Sequence, residues 1–134
     1  MIAAVRAEQP KVAAAMVKLK LLSPVVAYST LFRPDGSRYT CYYQPGDGEF
    51  SRNAAENIRK KYSALYNTPP PDGELKIRPL HQPKLHVMRF KETVIKGYSG
   101  LLRLDGPKEL LQLAVDAGLG GKNSMGFGCG EMVG

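Results

Sequence analysis

The sequence predicts an α+β fold: a ferredoxin-like β-α-β-β-α-β domain with an inserted β-hairpin and a C-terminal glycine-rich loop. Three observations predict it. Two stretches carry apolar residues at helical spacing, and each lies between stretches that are β-branched, aromatic or alternating. A stiff connector, Pro69-Pro70-Pro71-Asp72-Gly73, separates the first helix from the strands that follow. The chain then closes on GLGGKNSMGFGCG, residues 118–130, between the second helix and a short last strand.

Taken in order, residues 1–15 stand apart as an N-terminal segment, and residues 16–134 form the domain. Residues 16–28 set Val17, Leu19 and Leu21 against Lys18 and Lys20, then run apolar, which predicts one strand with Pro24 at a bulge or edge. Arg33-Pro34-Asp35-Gly36 is a turn signal leading into the strand RYTCYY, 38–43. Asp47 is the expected N-cap of a helix whose apolar face is Phe50, Ala54, Ile58, Tyr62 and Leu65. Its other face, with Arg52, Arg59, Lys60 and Lys61, reads as solvated. LKIRPL (75–80), LHVMRFKETVI (85–95) and YSGLLRL (98–104) are strand-like, with Lys96-Gly97 as the turn between the last two. Pro107 opens the second helix, Leu110, Leu111, Leu113, Ala114 and Ala117 face inward, and Gly118 stands where a left-handed C-cap belongs.

A chain of 134 residues with 43% hydrophobic content can bury a real core in one domain. Its net charge of +7 and pI near 9.5 favour a polyanionic partner, nucleic acid or an anionic surface. Cys41 and Cys129 are too few for a disulfide scaffold and lack metal-ligand spacing, so a reduced cytoplasmic setting with no metal and no cofactor is expected. The Ala-rich start is interrupted by Glu8, Pro10 and Lys11 before it could read as a signal peptide, and no stretch approaches the ~20 apolar residues of a membrane span.

The glycine-rich loop invites a nucleotide-binding reading, which its order excludes. A P-loop would place its first glycine at Asp116 and a Ser or Thr where Asn123 stands, and a Rossmann fingerprint lacks its third glycine. Both motifs leave a strand and open a helix, so that a helix N-terminus faces the phosphate. This loop leaves a helix and enters a strand, presenting the negative end of the helix dipole. Two readings remain: glycines that serve only packing, or a backbone free to approach a ligand closely. Six glycines in thirteen residues on a +7 chain favour the second, with Lys122 as the one charge at the tip beside Asn123 and Ser124.

The run GPKELLQLAVDAGLGGKNSMGFGCGEMV resembles the C-terminal signature of the CRISPR precursor-RNA processing endoribonucleases of the RAMP superfamily. In that family a helix is followed by a loop of the form G-x-G-x-(x)n-G-F-G that enters the last strand, and Gly118, Gly120, Gly126, Phe127 and Gly128 fit it. KGYSGLLRLDG (96–106), YYQPGDGEFSRNAAENIRKKYSAL (42–65) and LLSPVV (21–26) extend the likeness over roughly residues 20–134. The resemblance implies binding of CRISPR repeat RNA. It also implies cleavage of the precursor by metal-independent attack of the RNA 2′-hydroxyl, with a first ferredoxin-like domain that this chain lacks; residues 1–15 would be its remnant. The RNA contacts it implies are Gly118, Gly120, Gly121, Lys122, Asn123, Ser124, Gly126, Phe127 and Gly128, joined by Lys96 and Arg103 of a positive groove.

Cleavage of that kind needs a base for the 2′-hydroxyl, an acid for the leaving 5′-oxygen and cations for the phosphate. His81, between Pro79 and Pro83, and His86 are the two histidines, and neither position identifies itself as catalytic. The catalytic residues stay unassigned. Cations crowd the strands after the connector (Lys76, Arg78, Lys84, Arg89, Lys91, Lys96, Arg103), and Phe90 and Tyr98 are either core or stacking platforms for bases. Tyr42 and Tyr43 point to opposite faces of the hairpin, so at most one is expected in the core. Two alternatives remain open. One is a non-catalytic RNA-binding half or subunit of a CRISPR complex, as a homodimer or with a separately supplied first domain. The other is a small ferredoxin-like protein whose loop takes an anionic ligand.

Overall fold

A computed structural model describes residues 15–133. In chain order the elements are β1 (Met16–Leu21), β2 (Ala27–Phe32), β3 (Arg38–Tyr43), α1 (Gly48–Tyr66), β4 (Lys76–Pro79), β5 (Lys84–Phe90), β6 (Thr93–Ser99), β7 (Leu101–Asp105), α2 (Lys108–Ala117) and β8 (Gly130–Val133). Four strands form an antiparallel sheet in the order β4-β7-β1-β8, while β2–β3 and β5–β6 are separate two-stranded hairpins. With the hairpins set aside, the order of elements is β-α-β-β-α-β, the ferredoxin-like plan. The expected first-domain remnant falls, apart from Ala15, outside the described residues.

The sheet alternates as a strand pleat requires. Val17, Leu19 and Leu21 of β1, Ile77 of β4 and Leu102 and Leu104 of β7 are buried against Phe50, Ala54 and Ile58 of α1 and Leu111, Leu113 and Ala114 of α2. Lys18, Lys20, Lys76, Arg78 and Arg103 occupy the alternate positions, and the register sets Lys18 opposite Arg103 and Arg103 opposite Arg78. The helix-free face of the sheet is therefore basic. Asp105 and Glu131 are its acids.

Several local expectations are corrected. Residues 16–28 do not form one strand: β1 stops at Leu21, Val25 makes a single bridge to Tyr98, and β2 starts at Ala27 in another sheet. Pro24 has no N–H to donate to a ladder and lies in the connection between β1 and β2 rather than at a bulge. The turn expected at Lys96-Gly97 lies at Lys91-Glu92, where Lys91 adopts φ 57°, and Lys96 and Gly97 sit inside β6. The residues read as two sheet strands therefore supply a second inserted hairpin plus β7. Gly97 is glycine because a Cβ there would meet the Pro24 Cβ at 2.9 Å, a packing demand that looked like a turn signal.

The helix ends also differ from expectation. Asp47 is the N-cap of α1, yet its side chain makes no capping bond. Asn67 closes α1 in the left-handed region, donating its N–H to Ser63. Pro107 is the N-cap of α2 rather than its first residue. Gly118 has φ 93° and ψ 161°, an extended mirror conformation open essentially only to glycine, not the expected left-handed cap. Leu65 is 63% exposed, and Ala117 is exposed too, because both apolar stripes run past the end of the core.

Candidate functional site

The glycine-rich loop is built from the inside. Leu119 is fully buried and donates its N–H to the Gly128 carbonyl at 2.9 Å, which draws the two arms of the loop together. Gly121 donates to the Val26 carbonyl at 2.7 Å and Gly128 to the Pro24 carbonyl at 2.8 Å, which ties both arms to the segment between β1 and β2. At Gly120, with φ 72°, an added Cβ would strike the Val26 carbonyl oxygen; at Gly128, with φ 77°, it would strike that of Leu119. These two glycines are required by backbone packed on backbone.

Between the arms, Asn123 to Met125 form one 3-10 turn whose preceding residue, Lys122, has φ 58°. The Asn123 amide nitrogen donates to the Leu119 carbonyl at 3.2 Å and to the Phe127 carbonyl at 2.8 Å, bridging the loop from within. Lys61 completes the arrangement from α1. Its ammonium donates to the carbonyls of Gly118 and Gly120, both at 3.1 Å, and to the Asn123 side-chain oxygen. Burial pushes the Lys61 ammonium down to about 8, against an ordinary 10.5. Its three acceptors favour the charged form, and one lies at the electronegative end of α2.

Lys61 was expected on a solvated face, and that expectation is corrected. The signal was in the sequence: Lys61 follows Ile58 by three residues and Ala54 by seven, on the same stripe as the buried side chains. Arg59 likewise turns inward, donating to the Pro71 and Gly73 carbonyls of the connector. Arg52 is exposed and pairs with Glu49 at 2.6 Å.

Of the sequence-derived loop residues, Gly118, Gly120, Phe127 and Gly128 are buried, and Gly121, Lys122 and Asn123 are half-buried. Ser124 and Gly126, with Met125 between them, form the exposed tip. The Lys122 ammonium lies 4.9 Å from the centre of the Tyr28 ring, a cation–π contact. Phe127 packs edge-on to Phe90, with ring centres 6.2 Å apart, in a small second core with Val26 and Ile95. Tyr42 joins that core and donates its hydroxyl to the Val94 carbonyl at 2.9 Å, while Tyr43 packs on the main core. Both tyrosines are therefore structural, because the hairpin lies between two cores rather than over one. Tyr98 also packs on the main core, whereas Phe90 remains 44% exposed.

The two outlying residues sit apart from the loop. Lys96 is exposed on β6. Arg103 holds Asp105 on the basic sheet face, Nε to Oδ2 at 3.0 Å and Nη2 to Oδ1 at 3.1 Å. It lines a groove of about 880 Å³ with Arg52, Arg59, Lys76 and Arg78. His86 shares a hydrogen bond of 2.7 Å with the Ser99 hydroxyl. Ser99, Lys20 and the exposed His81 line a separate cavity of about 490 Å³. Among the described residues no group of three His, Cys, Asp or Glu side chains could hold a metal, and Cys41 and Cys129 are free thiols. No described helix is long and apolar enough to cross a membrane.

Comparisons with known proteins bear on the family and the fold. Residues 7–132 match the family model described as CRISPR associated protein Cas6, C-terminal. A curated relative, CRISPR-associated endoribonuclease Cas6 1 of Methanocaldococcus jannaschii, is 31% identical over 115 residues, covering 82% of this chain and 42% of its own. A solved structure described as CRISPR associated protein Cas6 superposes with a TM-score of 0.76 at 27% identity, over 94% of this chain and 52% of that one. A Cas6-related protein from Pyrococcus furiosus gives a TM-score of 0.79 at 21% identity over 93% of this chain and 51% of that one, which speaks for the fold. The same holds for a structure described as an RAMP protein binding different RNA substrates, with a TM-score of 0.80 at 20% identity over 94% of this chain and 52% of that one. The chain thus spans about half the length of the relatives it matches.

Proposed function

The chain belongs to the CRISPR-associated Cas6 family, and from that membership we propose that it is the repeat-RNA-binding part of a precursor CRISPR RNA endoribonuclease. The observation that carries the reading is the family match over residues 7–132, which includes the whole glycine-rich loop. The positive sheet face and the exposed cations of β5–β6 support it, because cationic surfaces grip phosphates without regard to sequence. In this reading the tip from Lys122 to Gly126 approaches the RNA backbone, and Lys96 and the sheet cations extend the contact.

The proposed cleavage uses the RNA's own 2′-hydroxyl. A base removes its proton, the oxygen attacks the adjacent phosphorus, and the bond from phosphorus to the 5′-oxygen breaks. An acid protonates that 5′-oxygen, leaving a 2′,3′-cyclic phosphate and a 5′-hydroxyl. Because the nucleophile is supplied by the substrate, the scheme requires no metal-bound water. The base and acid are assigned to a first domain acting together with this one.

A second reading, a binding subunit with no part in the chemistry, is favoured by one observation. His86 is engaged by Ser99, and His81 lies in an exposed turn without a carboxylate partner among the described contacts. The test is binding and cleavage of repeat RNA in EDTA, by this chain alone and with a supplied first domain. Binding that weakens steeply with salt, and cleavage only with the first domain, are expected. Salt-insensitive binding of a small anion in place of RNA would reject the RNA reading.

A further inference from the structure

We infer that Lys61 is a positioning residue for RNA binding: from inside the domain it sets the shape in which the glycine-rich loop meets the RNA backbone. The inference rests on the function proposed above and assigns to that site a residue outside the loop motif. An ammonium has three N–H donors and no acceptor. Lys61 directs all three to one loop: to the Gly118 carbonyl, the Gly120 carbonyl and the Asn123 side-chain oxygen. Asn123 spends its own amide hydrogens on Leu119, at the start of the loop, and Phe127, at its end. One cation thereby connects helix α1, the first arm, the tip and the second arm.

The chemistry explains why a residue without N–H donors would not serve. Three oxygen dipoles converge on the position of the Lys61 nitrogen, and without a donor they repel one another in a half-buried site. Removing the ammonium frees Asn123 to rotate, and the bridge between Leu119 and Phe127 loosens with it. The exposed tip, Ser124 to Gly126, loses its fixed relation to Lys122. Lys61 itself is directed into the protein, so its charge makes no phosphate contact.

That last point gives the experiment. Binding of the repeat RNA is measured against salt concentration for the full chain, for Lys61→Met, for Lys122→Ala and for the double variant. A lysine that touches a phosphate of a single strand contributes about 0.7 to the slope of log affinity on log salt. Lys122→Ala is expected to lower the slope by about that amount. Lys61→Met is expected to weaken binding by about tenfold, the effect of orphaning buried acceptors, with the slope unchanged. The double variant is expected to lose less than the two single losses combined, because Lys61 acts through the loop that presents Lys122. Should Lys61→Met not fold, Lys61→Gln, which keeps two amide donors, is read the same way.

A Lys61→Met slope that falls as far as that of Lys122→Ala would overturn the inference, since Lys61 would then be a phosphate contact. Native affinity in Lys61→Met, or strictly additive losses, would overturn it as well while leaving the RNA reading intact. Failure of the unaltered chain to bind the RNA would overturn both.

Discussion

The glycine-rich loop and the β5–β6 hairpin solve opposite problems. The loop has little side-chain matter, and the backbone of its arms is tied down internally: amides of Gly121 and Gly128 on the segment 24–26, carbonyls of Gly118 and Gly120 on Lys61. The hairpin is rich in side chains and leaves them in solvent, with Leu85 48%, Val87 59% and Val94 38% exposed beside Lys84, Arg89, Lys91 and Lys96. One is a fixed shape with a small open tip; the other is a charged arm with exposed apolar side chains. A composition of glycines therefore does not mean a floppy segment. It can mean that backbone has been packed where a side chain would not fit.

That contrast can be broken most sharply at Gly128. Gly128→Ala would place a methyl group on the Leu119 carbonyl at a positive φ, and a loss of at least about 3 kcal/mol in unfolding free energy is expected by denaturant titration. Retained stability would mean that the two arms are not locked. Next comes the hairpin: replacing Arg89, Lys91 and Lys96 together by alanine should lower the salt slope of RNA binding by about 2 and leave the thermal midpoint nearly unchanged. An unchanged slope would exclude the hairpin from the RNA path.

A third effect concerns pH. Lys61 titrates near 8 in the fold and near 10.5 when unfolded, so between these values the unfolded chain holds more protons. Stability from this group is thus flat below about 8 and rises as pH increases from there toward 10.5. The difference in unfolding free energy between the unaltered chain and Lys61→Met should widen over that window; a constant difference would contradict the burial of the ammonium. The smallest effect is expected at Gly126, where φ is likewise positive, at 93°, but a Cβ would meet nothing within 4 Å. Gly126→Ala should cost only the backbone term, about 1–2 kcal/mol. A loss as large as that of Gly128→Ala would remove the distinction between tip and arm.

The elements with strong periodicity could be read directly, because burial on one face leaves a repeating mark: Phe50, Ala54 and Ile58 on α1, Leu110, Leu111 and Ala114 on α2, Val17, Leu19 and Leu21 on β1. The second hairpin was missed because its apolar residues are divided between an exposed face and a small second core, so alternation did not tell one long strand from two. At the candidate site, the glycine-rich loop and its one cation, Lys122, are visible in the composition alone. Lys61 was not, since a charged side chain on a helix is read as solvated until its surroundings are known.

By itself the sequence determined the α+β plan, the two helices, the basic balance and, through its C-terminal motif, the family. Those follow from local spacing and composition, which survive in the linear chain. Only the tertiary structure decided which glycines are structural and which are exposed, and that a lysine of the first helix holds the last loop. Lys61 and Asn123 are 62 residues apart, and whether their side chains share one hydrogen bond depends on how α1 packs beside the end of α2, which no local pattern records.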